Sequence, residues 1–177
     1  MLWSSIKWSM TDLFSGMMIG LVTGILGSAL APYLKTKRED RSLKGLLYLW
    51  KRSVWQTVVL VVVLGPVAEE IIFRFLGISL LSYLFTGALP LILTSILFGL
   101  AHNQYPLNLI SGILGFILAL VFTVYGLPAA IIAHATHNAV SLFYLNVKAR
   151  RLMGISLTKA LKTLEVNEVM KKLGQLN

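Results

Sequence analysis

The chain has 177 residues, 56% of them hydrophobic and 13% charged, and a net charge of +9 from 16 Lys+Arg against 7 Asp+Glu. A soluble domain carries about 25% charged residues, so this shortfall, with its long apolar runs, describes a polytopic membrane protein. With no cysteine there is no disulfide, thiolate nucleophile or thiolate metal site. The basic residues, lacking an aromatic-basic pattern, read as loops facing anionic headgroups and exclude a nucleic-acid partner.

In chain order, Trp3, Lys7 and Trp8 read as interfacial anchors before a first span at 13–34. That run is too long for the apolar region of a signal peptide. Gly16, Gly20, Gly24 and Gly27 recur at helical spacing, a pattern that permits close helix packing in lipid. A basic connector follows at 35–52, and its second half, 43–50, predicts an interfacial amphipathic helix. The stretch 54–85 reads as one long helix kinked at Gly65-Pro66 or as two shorter elements. A turn at 87–90 leads to a short apolar helix at 91–101, then to the polar run 102–106. Further spans are predicted at 107–124 and 129–145, followed by Lys148, Arg150 and Arg151. From Ile155 the tail alternates Leu157, Leu161, Leu164, Val169 and Leu173 with charged residues, which predicts a surface amphipathic helix.

Both basic segments should face the cytoplasm, so an even number of crossings lies between them. The sequence therefore predicts an all-α transmembrane bundle of about five spans in a single membrane domain over 1–177, with its core at 54–147. Its N-terminus would be outside and its C-terminus inside, as an integral protein of the cell membrane.

Between Val54 and Val147 the only charged side chains are Glu69, Glu70 and Arg74. Charges inside a span are costly and mark functional sites by default. Adjacent helical residues diverge by roughly 100°, so Glu69 and Glu70 point different ways. Arg74, four residues after Glu70, can neutralise it, leaving Glu69 as the freer carboxylate. The plainer alternative is a buried ion-pair knot that only fixes packing.

The three histidines, His102, His134 and His137, also lie in or beside apolar segments. A histidine beside a carboxylate can share in deprotonating water. His134 and Asn138, one turn apart on the same face, can both donate to a developing oxyanion. His-Glu-x-x-His and Gly-x-Ser-x-Gly are absent. A zinc site from Glu69, His102 and His134 stays open as an alternative.

Three motifs stand in order on successive spans. Glu69-Glu70-Ile71-Ile72-Phe73-Arg74 is similar to the EExxxR motif of the CPBP intramembrane proteases, which include the CAAX prenyl endopeptidases and the Abi proteins. Phe98 to His102 resembles that family's FxxxH motif, and His134 to Asn138 its HxxxN motif. Phe75 departs from the glycine that bacterial members often carry after the arginine, and would narrow the cavity there.

The resemblance implies a membrane-embedded, glutamate-dependent endopeptidase that needs no metal or other cofactor and acts on a peptide or protein. By match, Glu69 would activate water with help from His102, and His134 and Asn138 would stabilise the oxyanion. Glu70 and Arg74 would hold the geometry, and His137 would be packing or support. A non-catalytic binding or immunity protein on the same scaffold is the other reading. The predicted map sets His102 near the cytoplasmic end of its helix and His134 nearer the outer side. A water-filled cavity at the 102–106 turn would bring both to Glu69.

Overall fold

The computed structural model describes residues 9–30, 33, 41–102 and 107–174. The anchors Trp3, Lys7 and Trp8, the first part of the basic connector (Lys35, Lys37, Arg38) and the turn residues 103–106 lie outside the described residues. Every regular element among the described residues is helical.

Helix α1, Met10–Leu30, begins at a reciprocal cap. Ser9 N donates to Asp12 Oδ2 at 2.8 Å, and Asp12 N donates to Ser9 Oγ at 3.2 Å. This helix is built inside out. It buries Gly16, Gly20, Gly24 and Ser28 and exposes Phe14, Met18, Leu21 and Ile25. A Cβ on Gly20 would sit 2.2 Å from the carbonyl oxygen of Ala133, so the two backbones touch only because no side chain intervenes. Small residues inside and large apolar ones outside are the arrangement that lipid, not water, stabilises.

Helix α2, Arg41–Arg52, leads into a composite helix. Its parts are α3 (Val54–Val58), a π stretch (Val59–Leu64), α4 (Gly65–Glu70), a second π stretch (Ile71–Ile78) and α5 (Ser79–Leu81). The junction residues Val59, Gly65 and Ile71 all keep right-handed helical angles, so the chain runs from 54 to 81 without a break. Pro66 has no N–H to give a helical carbonyl, and the wider turn just before it carries the irregularity.

Gly87, at φ 67°, turns the chain into α6, Leu89–Ala101, with Pro90 in its first turn. Helix α7 is Leu107–Tyr125. Gly126, at φ 86°, starts α8, Leu127–Met153, which Gly154 ends in a left-handed conformation. Helices α9, Leu157–Thr163, and α10, Val166–Lys172, close the described chain.

The molecule has two cores. One lies between α7, α8 and the second π stretch, around Leu118, Ala119, Phe122, Ala129 and Ala133. The other is a cap of ordinary aqueous type. There α2, α9, α10 and the end of α8 bury Leu47, Trp50, Leu161, Val169, Met170 and Leu173 against one another. Trp50 Nε1 donates to Thr158 Oγ1 at 3.1 Å, Leu157 N donates to Asn146 Oδ1 at 3.0 Å, and Lys51 Nζ lies 3.4 Å from Glu165. The tail, expected as one surface amphipathic helix, is two, α9 and α10, and both pack on α2. Each apolar face is covered by the others, so none needs the bilayer to cover it.

Two helices, α1 and the part of α7 from Asn108 to Tyr125, have the length and apolarity of a membrane span. Helix α6, Leu89–Ala101, is shorter, and α8 ends in Arg150 and Arg151.

Candidate active site

The composite helix brings Glu69, Glu70 and Arg74 within two turns of one another, and α8 lays His134 across them. Glu70 is fully buried. Its Oε2 lies 3.1 Å from Arg74 Nε, and its Oε1 lies 2.9 Å from His134 Nδ1. A carboxylate facing a guanidinium is an acceptor, so His134 carries its hydrogen on Nδ1. His134 Nε2 then faces Glu69 Oε2 at 3.8 Å. Glu69 is 36% exposed, and that Oε2 is buried with no hydrogen-bond partner. Glu70 Oε2 and Arg74 Nε likewise make no hydrogen bond, so their contact is an ion pair; one carboxylate is thus buried between a cation and an imidazole while its neighbour is partly open.

Arg74 is 1% exposed. Besides Glu70 it reaches α7, where its Nη2 donates to the Gly115 carbonyl at 3.1 Å. Its Cζ stands 4.4 Å from the centre of the Phe98 ring, where a ring face favours a cation. Phe98 also meets Phe73 edge-on at 5.3 Å, and it touches both His102 at 4.6 Å and His134 at 5.8 Å. The two histidines that the predicted map holds apart therefore share one ring. Gly115 leaves room for it, since a Cβ there would come within 3.0 Å of Phe98.

His102 ends α6, and its Nδ1 lies 2.8 Å from the Phe98 carbonyl one turn back. That carbonyl can only accept, so Nδ1 holds the hydrogen and neutral His102 offers the Nε2 lone pair. Asn138 Nδ2 donates to the Val61 carbonyl at 2.9 Å. His137 turns away to α1. The Thr23 hydroxyl gives its hydrogen to the Ile19 carbonyl and takes one from His137 Nδ1 at 3.2 Å. The ring edging the cluster is Phe73, while Phe75 is half-buried nearby.

Neither the Gly115 carbonyl nor the ring of Phe98 has an expected role in the motifs above. The second was within reach, because Phe98 precedes His102 by one turn; a bare carbonyl on another helix leaves no mark in a sequence. A cavity of about 500 Å³ between α6 and α7 is lined by Ile92, Ile96, Gly99, Asn108 and Phe116 among others, and by none of the residues above. Among the described residues no group of three His, Asp or Glu side chains is placed to hold a metal ion.

An inside-out helical bundle enclosing a Glu–His–Arg cluster is a membrane-embedded protein with a polar internal site. The chain belongs to the type II CAAX prenyl endopeptidase Rce1-like family, whose model matches residues 50–140, just over half of its length. The match spans all three motifs and leaves out α1, α9 and α10. That family is one of membrane-embedded proteases, so the resemblance noted from the motifs holds. No curated protein and no solved structure matches the chain.

Proposed function

We propose that this protein is an intramembrane endopeptidase in which Glu69 activates the attacking water. The observation that carries the reading is the contrast between the two glutamates. Glu70 is fully buried, in an ion pair with Arg74 and bonded to His134, whereas Glu69 is 36% exposed and has no cation of its own beside it. Glu69 takes a proton from water as the oxygen attacks the scissile carbonyl carbon, and returns it to the amine that leaves. His102, with Nε2 open, shares in holding the water. His134 serves the oxyanion through Nε2 when the ring holds both hydrogens, while the amide of Asn138 is engaged with the Val61 carbonyl. Glu70 and Arg74 fix His134 from behind. No metal enters this scheme.

We also infer five crossings: α1, the composite helix, α6, α7 and α8. The packing of α2 against α9, α10 and the end of α8 supports this, since an even number of crossings between α2 and the end of α8 would return the chain to one side. Helix α6 covers about 20 Å of a hydrocarbon core of about 30 Å.

The test is cleavage of a peptide with a prenylated C-terminal tail, beside a non-prenylated one, by purified protein in liposomes. Products that vanish with Glu69→Ala and persist with a chelator support the reading. Products that survive Glu69→Ala overturn it, and loss with the chelator assigns the chemistry to a metal.

A further inference from the structure

Asn138 has a partner that its place in the motif does not explain. Its Nδ2 donates to a backbone oxygen, the Val61 carbonyl, at 2.9 Å. Val61 lies in the π stretch Val59–Leu64 just before Pro66. The N–H one α turn on, that of Gly65, goes instead to Leu60, five residues back. In that five-residue register the N–H due to Val61 belongs to residue 66, which is proline and has none. The Val61 carbonyl is therefore orphaned by the sequence of its own helix. Packed between helices, such a group needs a donor within the protein, and Asn138 is that donor.

The same face of α8 presents His134 one turn earlier, and His134 holds Glu70 at 2.9 Å. Helix α8 thus grips the composite helix on both sides of Pro66, at Val61 and at Glu70. Glu69 sits in the short α4 turn between the two grips, Gly65–Glu70. We infer that Asn138 is a positioning residue, which gives Val61 the hydrogen bond that Pro66 cannot and so fixes the turn that aims Glu69 at His134. The inference rests on Glu69 being the base proposed above, and the stability arm below is read without any cleavage.

The experiment is a double-mutant cycle of Asn138→Ala and Pro66→Ala, following melting temperature in detergent, kcat and KM. Alanine at 66 restores an N–H to the helix. With Pro66 in place, Asn138→Ala should lower both melting temperature and kcat. In the Pro66→Ala background the melting loss should largely vanish, and kcat should recover by on the order of tenfold, a usual coupling for groups in contact, with KM unchanged. Equal losses in both backgrounds overturn the inference. Recovered melting without recovered kcat overturns the positioning of Glu69. A parental protein that cleaves nothing yet shows the melting coupling removes the proposed function and leaves the cap standing. If Pro66→Ala does not fold, hydrogen exchange over 59–70 in Asn138→Ala decides the cap. Faster exchange there, with α6 unchanged, supports it; an unchanged pattern overturns it.

Discussion

His134 gives its Nδ1 hydrogen to Glu70 at 2.9 Å and turns Nε2 toward Glu69 at 3.8 Å. One imidazole thus separates two adjacent carboxylates into a held one and an open one. Glu69→Gln keeps the size of the side chain and removes its basicity. Turnover per folded molecule should fall by about 10²–10⁴, the usual worth of general acid–base catalysis, while melting changes little. Glu70→Gln should lower melting and spare part of the turnover in the molecules that remain folded. Parental cleavage by Glu69→Gln would remove the site assignment.

Arg74 binds α7 to the composite helix and neutralises Glu70. Arg74→Ala leaves a buried carboxylate with no cation beside it. Breaking a buried pair from one side costs about 3–5 kcal/mol, enough to exhaust much of a small protein's stability. The measurable outcome is a low yield of monodisperse protein and a depressed melting curve, not a folded protein with slow chemistry. A stable, well-folded Arg74→Ala protein would contradict the pairing.

Two glycines of α1 should respond differently to one added methyl. A Cβ at Gly20 would meet the Ala133 carbonyl oxygen at 2.2 Å, backbone that cannot give way locally. At Gly27 it would meet only the His137 ring, at an ordinary 3.4 Å. Gly20→Ala should destabilise by about 1–3 kcal/mol, as overpacking does, and should lower turnover as well, because Ala133 precedes His134. Gly27→Ala should be near neutral in both. Equal effects would mean that α1 does not lie against α8 as described.

The side on which each segment lies can be read by labelling. Single cysteines at Ser42 and Lys162, on α2 and α9, should react from the same side of sealed vesicles, since these helices share one core. A cysteine at Ser9, before α1, should react from the other side. Labelling of Ser9 and Ser42 from one side would take α1 out of the set of crossings.

Much of this arrangement is legible in the sequence. The spacing of Gly16, Gly20 and Gly24 marks a face made for contact, and Glu70 with Arg74 four residues on marks a pair. These features depend on a single helix, so its periodicity contains them. The cap was not legible: amphipathic faces at Leu47 and Leu161 show that each needs cover, but not that they cover each other. Nor was the bond from Asn138 to Val61, 77 residues apart. It requires knowing that the helix before Pro66 widens to a five-residue register, which the proline alone does not announce.

The aqueous-type cap and the inside-out pairing of α1 with α8 depend on opposite solvents. Urea acts from water and should loosen the core around Trp50 and Met170 while the lipid-facing pairing persists. A harsh detergent competes for the faces of α1 and α8 and should do the reverse. Unfolding will then show two steps that different agents reorder, and no single free energy describes it. The indole of Trp50, 8% exposed, is placed to report on the first step alone.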